Sequence, residues 1–379
     1  MAMKILILCE LYDSQLNNYS ENIEINKNDN NKRILEKTSS WPYMMSKYLT
    51  ENGADVSEYF IEDNASYQKN NNISNFSFFV EKLELLQPEI LIVENLRSIS
   101  ENNLIKIKKR FPKISLVTHH CSSIKKEHRN LLLQYDYILC CSPFFIKDCE
   151  LNSSKKILFY HASPDTGFKF KTHIKDKINS CSFFGSLFSS IHKERKNLLS
   201  YLKTKDLKLD IYSSFEDSTK ISSLRYKLEK IYRSKKLKKA FIKFEKKIME
   251  LRYPSLVGIK PQLFDNEMLS IMSRYLCTLN VHTGHARGYA ANMRMFESAS
   301  VGTCVITEDY PNLSDLFEPD YEILTYKSKE ECHEKIKYCY ENPLEAYEIG
   351  RRANIRALKD HTYSNRIKVL MNNFDALAK

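Results

Sequence analysis

Short apolar runs alternate with amphipathic stretches along the first 160 residues. Runs of four to six residues are typical of strands buried on both faces of a parallel sheet. They predict strands over 5–9, 56–61, 90–93, 114–118, 135–140 and 156–160. Apolar residues at spacings of three and four predict intervening helices over 41–52, 77–87 and 100–110. Strands that alternate with helices of about ten residues indicate βαβ units.

The same alternation restarts near residues 165–178. It predicts strands over 181–184, 207–212, 275–281 and 303–307, and helices over 191–203, 292–301, 328–341, 343–359 and 362–377. A chain of 379 residues is too long for one ordinary core, since a domain has about 150 residues. The sequence therefore predicts an α/β fold with two Rossmann-like domains, over 1–170 and 171–361, followed by a helix over 362–379.

The composition narrows the class of protein. It is 42% hydrophobic and 28% charged, which is ordinary for a globular protein. Only 8 residues are glycine, and neither G-x-G-x-x-G nor G-x-x-x-x-G-K-[ST] occurs, so dinucleotide-binding and P-loop sites are unsupported. The ten cysteines form no C-x-x-C, which favours buried thiols in a reducing cytosol over a disulfide framework or a zinc site.

Two features bear on location. The first apolar run, Ile5–Cys9, is too short for a signal peptide or a membrane span, so we expect a cytoplasmic protein. Residues 220–252 contain thirteen Lys and Arg against three acids and hold most of the net charge of +11. Their apolar residues recur at helical spacing, which predicts a basic helical insertion.

Three interpretations of residues 220–252 stay open. The insertion is a solvated arm whose apolar stripe packs on the protein, a dock on an anionic membrane that carries a lipid-linked acceptor, or a nucleic-acid-binding segment. No recognised nucleic-acid module accompanies the charge, which argues against nucleic acid as a partner.

A candidate anion site lies where a predicted strand meets a predicted helix. The strand ends at His282, and a loop with Gly284, His285, Arg287 and Gly288 precedes a helix that begins near Asn292. The amide groups and positive dipole of a helix N-terminus attract anions, and an arginine can bind a phosphate in bidentate fashion.

Glu297 lies one to two turns into that helix, where a carboxylate could accept hydrogen bonds from ribose hydroxyls. Together these residues suggest a nucleotide-diphosphate site; the alternative is a plain strand–turn–helix in which Glu297 pairs locally. The His282-x-x-His285 spacing lacks the acids that would support a metal site.

Polar residues also follow two strands of the first domain. His119 and His120 follow strand 114–118 at its carboxyl end, where open α/β sheets bind ligands. One of the pair, with His120 favoured, is a candidate for a cleft role; the alternative is a loop histidine satisfied by the backbone. Glu10 and Asp13 follow the first strand, where an inverting enzyme would need a general base, although a local loop role is the alternative.

Several segments resemble a known family. "NMRMFESASVGTCVITEDYPNLSDLFEPDYEILTY" (292–326) and "HTYSNRIKVLM" (361–371) resemble the C-terminal half of GT-B glycosyltransferases. The most similar variant is the spore-maturation-protein (CgeB-like) group, with N-x-R-x-F-E followed by G and T-[DE]. "SCSFFGSLFSSIHKERKNLLSYL" (180–202) resembles the opening of that group's second domain.

The resemblance implies two Rossmann-like domains facing a cleft, with the donor nucleotide sugar on the second domain. Glu297 would match the second acid of the Glu-x7-Glu motif of family-4-like retaining enzymes, while the first acid would fall at Tyr289 and is absent. The remaining donor-binding residues implied are Asn292, Arg294, Arg287, Gly185 and Ser186. The last helix would cross back to the first domain, and neither metal nor another cofactor would be required.

We therefore expect a glycosyltransferase that moves a sugar from a nucleotide-sugar donor to a glycan, lipid-linked or protein acceptor, with retention favoured. His120, His119 and Glu10 are the candidate catalytic residues, and residues 220–252 offer a contact with the inner face of the membrane. Two alternatives stay open: a non-catalytic GT-B scaffold that binds a nucleotide sugar, and a basic membrane- or nucleic-acid-binding protein that acts through 220–252.

Overall fold

The structure is a computed structural model that describes residues 2–9, 41–61, 76–122, 129–149, 154–187, 192–213, 244, 247, 251–256, 258–284 and 287–375. The chain divides into two compact units. The first unit comprises Met1–Ala162 and Thr362–Lys379, and the second unit comprises Ser163–His361. The sequence places the first boundary at 170/171, and the structure places it at 162/163.

The first unit is built on a six-stranded sheet. Its strands are β1 (Lys4–Cys9), β2 (Asp55–Phe60), β3 (Ile90–Val93), β4 (Ser115–His120), β5 (Tyr137–Cys140) and β6 (Lys155–Leu158). The order is β2-β1-β3-β4-β5-β6, and every pair is parallel. β1, β3 and β5 are almost wholly buried, as expected of strands covered on both faces.

Helices cover this sheet. They are α1 (Trp41–Glu51), α2 (Phe76–Leu86), α3 (Glu101–Arg110), α4 (Arg129–Leu132), α5 (Pro143–Asp148) and, from the end of the chain, α11 (Tyr363–Asp375). The buried face of α1 and residues Ile367, Leu370 and Phe374 of α11 belong to one core with β1, β3 and β5. Burial of these apolar side chains attaches the last helix to the first unit.

The second unit has a second six-stranded sheet. Its strands are β7 (Ile178–Phe184), β8 (Leu209–Ser213), β9 (Lys260–Pro261), β10 (Tyr275–Leu279), β11 (Cys304–Glu308) and β12 (Leu324–Tyr326). The order is β12-β11-β10-β7-β8-β9, and every pair is again parallel.

The helices of the second unit are α6 (Lys193–Lys203), α7 (Asp265–Ser273), α8 (Met293–Ser300), α9 (Lys329–Glu341) and α10 (Pro343–Asp360). Its main core joins β7, β10 and β11 to α6, α9 and α10. Asn354 of α10 donates hydrogen bonds to the carbonyls of Ala299 and Ser300, which satisfies the free C-terminal carbonyls of α8.

The predicted fold class, α/β with two parallel sheets, is confirmed. The prediction missed β9, β12, α4, α5 and α7, which are short or lack a continuous apolar run. The basic insertion 220–252 lies almost wholly outside the described residues, although Phe244 and Leu251 are described and are exposed. No helix within the described ranges is long and apolar enough to cross a bilayer.

Candidate functional site

The order of strands in the second sheet marks one place for a ligand. The chain passes from β7 to β8 on one side and later to β10 on the other, so the connections diverge between β7 and β10. Open α/β sheets bind ligands at the carboxyl ends of the strands at such a switch point. Gly185 and Ser186 follow β7, and residues 280–282 follow β10.

The N-terminus of α8 is fixed to this edge by an amide network. Asn292 is the N-cap, and its side-chain oxygen accepts from the Arg294 amide at 3.3 Å. Its Nδ2 donates to Asn280 Oδ1 at 2.8 Å, and Asn280 Nδ2 donates to Thr307 Oγ1 at 2.9 Å. Both ends of the Asn292 amide are therefore engaged, and this residue positions α8 rather than offering a free group to a ligand.

The loop before α8 is held from the other side. Asn312 accepts from the Ala290 amide at 2.7 Å and donates to the Ala290 carbonyl at 2.9 Å. Arg287 is exposed, and Arg287 and Gly288 have φ of 43° and 79°. A Cβ at Gly288 would meet nothing within 4 Å, so glycine serves the backbone conformation there. His285 lies outside the described residues.

Arg294 and Glu297 form an ion pair on successive turns of α8. The Glu297 side chain is 9% exposed, and its carboxylate therefore lies in a restricted environment near the N-terminus of the helix. The alternative of a plain strand–turn–helix predicts a local partner for Glu297, and Arg294 is that partner. The pair also carries both a cation and an acceptor, the two kinds of group that a ribose diphosphate requires.

A histidine and a carboxylate meet at the ends of β10 and β11. His282 Nδ1 donates to Glu308 Oε2 at 2.9 Å, and the His282 amide donates to Glu308 Oε1 at 2.9 Å. The His282 side chain is 1% exposed, and its ring packs edge-on against Tyr310 with ring centroids 5.1 Å apart. His282 Nε2 is buried and has no partner within the described part of the chain. Glu308 thereby fixes the ring with Nε2 free.

Arg195 adds a buried cation at the same edge. Its Nε donates to the Val281 carbonyl at 2.7 Å, and its Nη1 donates to the Ser186 carbonyl at 3.3 Å. These carbonyls follow β10 and β7, so the guanidinium joins the two sides of the switch point. Burial lowers the pKa of Arg195 to about 10, with Glu308 opposing and Arg294 adding to the effect. The group therefore stays charged at neutral pH.

Gly185 and Ser186 line the same turn. The Gly185 amide donates to the Tyr212 carbonyl at 3.1 Å, so it continues the sheet instead of facing a ligand. A Cβ at this position would lie 2.9 Å from the ring of Phe183 and 3.4 Å from Arg195 Nη1. Glycine is required at position 185 because the Phe183 ring and the Arg195 guanidinium approach the backbone closely.

His119 and His120, the last two residues of β4, are both buried. His120 is 3% exposed, its Nε2 donates to Asp148 at 3.3 Å, and its ring packs on Phe145 at 4.5 Å. His119 is 9% exposed and stacks on Trp41 with ring centroids 4.9 Å apart. A side-chain acid, rather than the backbone, orients His120. Glu10 lies outside the described residues.

The structure thus gathers Asn292, Arg294, Glu297, Gly185 and Ser186 around the β7/β10 edge and its helix. The sequence interpretation missed Arg195, Glu308, Asn280 and Asn312 as parts of the same network. Arg195 stands within the run Lys193–Lys196, which looks like a solvated helix start. Glu308 is the last residue of β11. This position at the carboxyl end of a strand is the only sequence feature that marks it as a site residue.

Comparisons with known proteins agree with this architecture. Residues 195–372 match the family described as "Glycosyl transferase-like". No curated protein sequence matches the chain.

Three solved structures resemble the whole chain. A glycosyltransferase from Rickettsia africae ESF-5 has 11% identity, a TM-score of 0.62 and coverage of 100% of this chain and 99% of that one. Anabaena Alr3699/HepE in complex with UDP and glucose has 12% identity, a TM-score of 0.58 and coverage of 99% and 100%. An alpha-glucosyltransferase in complex with UDP-glucose and DNA containing an abasic site has 13% identity, a TM-score of 0.61 and coverage of 100% of both chains. The chain therefore has the fold of GT-B glycosyltransferases, and most of its second unit is similar to a glycosyl transferase-like family.

Proposed function

We propose that the protein is a glycosyltransferase that takes a sugar from a nucleotide-sugar donor and passes it to a glycan, lipid-linked or protein acceptor. One observation carries the proposal. Arg195, Arg294, Glu297 and His282 converge at the topological switch point of the second sheet. That edge therefore combines two guanidinium groups, a carboxylate and an oriented imidazole, which are the groups needed to hold a nucleoside diphosphate.

The donor phosphates would lie at the N-terminus of α8. Two cations and a helix dipole stabilise negative charge there, and charge grows on the nucleoside diphosphate as the glycosidic bond to the sugar breaks. Arg287 and Gly288, in the exposed loop, would contact the diphosphate from outside, and His285 belongs to the same proposed group. Because Arg195 is held by two carbonyls, it is preorganised before the donor arrives.

Glu297 would accept hydrogen bonds from the ribose hydroxyls. Arg294 holds the Glu297 carboxylate in place. The burial of Glu297 limits competition from water. His282 would present Nε2 to the donor because Glu308 occupies Nδ1. We place Glu308 and Asn292 as positioning residues and Arg195, Arg294, Glu297 and His282 as donor contacts.

The acceptor and the transferred sugar would be bound by the first unit. His120 is the favoured catalytic candidate because Asp148 orients its ring, and His119 and Glu10 are the other candidates. We propose retention of the anomeric configuration from the resemblance to the family-4-like enzymes that carry the Glu-x7-Glu motif. Tyr289 stands where those retaining enzymes have their first acid, so another group must contact the transferred sugar.

UDP is the first nucleotide to test, since two of the structural neighbours are described with UDP or UDP-glucose. One neighbour is also described with DNA, so DNA belongs in an acceptor screen beside glycans and lipid-linked sugars. We propose a cytoplasmic enzyme without a metal requirement for transfer, which meets an anionic membrane surface through the basic segment 220–252.

A thermal-shift screen tests the donor site. UDP, GDP, dTDP, CMP and their sugars are compared on the wild type and on Glu297→Ala. The matched control is Glu348→Ala, because Glu348 and Arg351 form an exposed i,i+3 pair at 2.7 Å on α10. We expect one nucleotide to stabilise the wild type and the control, and Glu297→Ala to lose that shift. An equal shift in all three proteins would contradict the ribose contact.

Two alternatives are separated by further assays. A non-catalytic scaffold would bind a nucleotide but release no nucleotide from any sugar donor, whereas an enzyme hydrolyses its donor slowly or transfers it. A protein that acts only through 220–252 would lose all ligand binding when that segment is deleted. Retained nucleotide binding in the deletion variant would exclude that alternative.

A further inference from the structure

Three consecutive strands of the first sheet end in residues with metal-binding side chains. Cys121 follows β4, Cys141 follows β5, and His161 stands three residues after β6. β4 and β5 are neighbours in register at His120 and Cys140, so the next residues on the two strands, Cys121 and Cys141, lie side by side. The parallel sheet thus brings together three side chains that are distant in sequence.

These side chains converge. One ligand atom from each of Cys121, Cys141 and His161 lies within 4.8 Å of the other two. Around a tetrahedral zinc ion, sulfur ligands are separated by about 3.8 Å and sulfur and nitrogen by about 3.6 Å, given Zn–S and Zn–N bonds of about 2.3 and 2.05 Å. Small side-chain adjustments would therefore bring the three atoms to bonding distance of one ion.

His119 lies next to these three residues and is the candidate for a fourth ligand. It precedes Cys121 by two residues, so both project from the same face of the chain. The Cys121 thiol lies against the side chains of both Cys141 and His119, and the His119 and His161 rings meet edge-on at 5.7 Å. Trp41 stacks on His119 with an interplanar angle of 8°, which fixes the plane of the ring.

Two ring nitrogens in this group are unexplained by the protein alone. His119 Nε2 and His161 Nδ1 are buried and accept or donate no hydrogen bond within the described ranges. Buried polar atoms are almost always paired, and an unpaired one often indicates an ion or a water. Two such atoms on rings that adjoin the two thiols favour one common ligand.

The chemistry of the four donors selects the ion. Thiolates and imidazoles are the ligands of zinc, whereas magnesium and calcium require oxygen. We propose that His119, Cys121, Cys141 and His161, the His–Cys cluster, form a tetrahedral Zn²⁺ site that ties together the ends of β4, β5 and β6. Four protein ligands leave no open position, so the ion is structural. Cys121 is exposed, which gives the ion a path of entry.

The proposal does not depend on glycosyl transfer. It assigns His119 to the ion and leaves His120, which faces Asp148, as the histidine available for catalysis. It also differs from the sequence expectation of inert buried thiols, which describes the other eight cysteines. Spacing along the chain cannot show this site, because its ligands are joined only by the pairing of three strands.

Metal content of the full-length reduced chain tests the site. The protein is purified without chelators, and zinc is measured by mass spectrometry beside a Co²⁺ titration of the metal-stripped chain. We expect about one zinc per chain and the absorption bands of tetrahedral thiolate-bound Co²⁺. Cys121→Ser and Cys141→Ser should lose most of the zinc and the thiolate band, and Cys332→Ala, a buried thiol of the second unit, should keep both.

Clear results would overturn the proposal. One is a reduced wild-type chain that holds almost no zinc and gives no tetrahedral Co²⁺ spectrum. Another is zinc retained undiminished in both cysteine variants, and a third is a Cys121–Cys141 disulfide in the freshly isolated chain. If the cysteine variants do not fold, the wild-type Co²⁺ spectrum still decides, and His161→Asn should alter it without removing the thiolate band.

Discussion

The carboxyl edges of the two sheets share one topological feature and differ in their chemistry. In both sheets the first strand of the unit lies between its second strand and a later one. The second unit places guanidinium, carboxylate and amide groups at this edge, which suit a charged, water-soluble ligand. The first unit places imidazoles, thiols and an indole at the ends of β4 to β6, which suit an uncharged surface or a soft metal ion. The same fold therefore carries two chemistries, because the side chains after each strand are free to differ.

The two edges also differ in how their polar groups are paired. In the second unit, Asn292, Asn280 and Thr307 form a continuous chain of hydrogen bonds, and the site is ordered before a ligand binds. In the first unit, two neighbouring rings, those of His119 and His161, each have a buried nitrogen with no partner among the described residues, whereas the donor edge has one such atom, His282 Nε2. The first arrangement is typical of a preorganised binding site. The second requires a further partner to be stable.

The largest effect should follow from Arg195→Met. The substitution removes a buried cation and two hydrogen bonds to carbonyls of the β7/β10 edge. We expect nucleotide affinity to fall at least about 100-fold, and the free energy of unfolding to fall by about 3 kcal/mol. Calorimetric titration and chemical denaturation measure the two quantities.

The control for that variant is Arg352→Met. Arg352 donates to the Tyr321 carbonyl at 2.8 Å and pairs with Glu345, so it loses the same kinds of bond away from the β7/β10 edge. Nucleotide affinity should be unchanged in the control. Equal nucleotide affinities for Arg195→Met and Arg352→Met would contradict the claim that the β7/β10 edge, and not the rest of the second unit, binds the nucleotide.

A matched pair of acids compares the two edges directly. Glu308 orients His282 in the second unit, and Asp148 orients His120 in the first. Glu308→Gln should weaken nucleotide binding about tenfold, because the imidazole loses its fixed orientation. Asp148→Asn should leave nucleotide binding unchanged and slow transfer to the acceptor. If Glu308→Gln slowed transfer while Asp148→Asn weakened nucleotide binding, the roles proposed for the two units would have to be exchanged.

Two glycines at the donor edge should respond differently to alanine. Gly185→Ala would push a Cβ to within 2.9 Å of the Phe183 ring, so we expect a loss of about 1–3 kcal/mol from overpacking. Gly288→Ala meets open space but has φ of 79°, and it should cost about 1 kcal/mol. Denaturation of both variants gives the values. A larger cost at Gly288 would contradict the packing described at Gly185.

The smallest effect concerns the opposite edge of the second sheet. Lys177 precedes β7 and donates to the Ser273 and Gly302 carbonyls, and burial lowers its pKa to about 8. The unfolded chain then binds more protons than the folded one between about pH 8 and the ordinary lysine value of 10.5. Stability of the wild type relative to Lys177→Met should therefore rise by about 1 kcal/mol between about pH 7 and 8.5.

Nucleotide affinity should not change in Lys177→Met, because the residue lies at the amino edge of the sheet. Denaturation at the two pH values and a nucleotide titration test both statements. A flat difference in stability would mean that folding does not lower the pKa of Lys177, and a loss of nucleotide affinity would extend the site to the amino edge.

Much of the fold follows from local sequence. The apolar runs at Ile5–Cys9 and Ile90–Val93 are buried on both faces, and such runs identify central strands of parallel sheets. β9 has only two residues and β12 only three, too few to produce a pattern. The helix α7 begins at a residue with φ of 47°, Asp265, and its N-cap, Phe264, offers no capping side chain.

The site was less predictable because its network joins separate strands. Asn292 and Glu297 stand within one motif and were identified as site residues, but the engagement of both ends of the Asn292 amide depends on Asn280. Arg195 stands in a basic helix start and is buried only because the carbonyls of Ser186 and Val281 receive it. The register between strands, which no local pattern contains, decides these contacts.

Hydrogen–deuterium exchange with and without nucleotide tests the central claim most directly. The full chain is labelled alone and with a saturating amount of the nucleotide diphosphate that gives the largest thermal shift. The account predicts slower exchange in peptides covering 280–284 and 287–300, at the β10/α8 edge of the second unit, and unchanged exchange over 115–121 of the first. Protection confined to the first unit, or absent from 287–300, would contradict the claim that the second unit binds the donor.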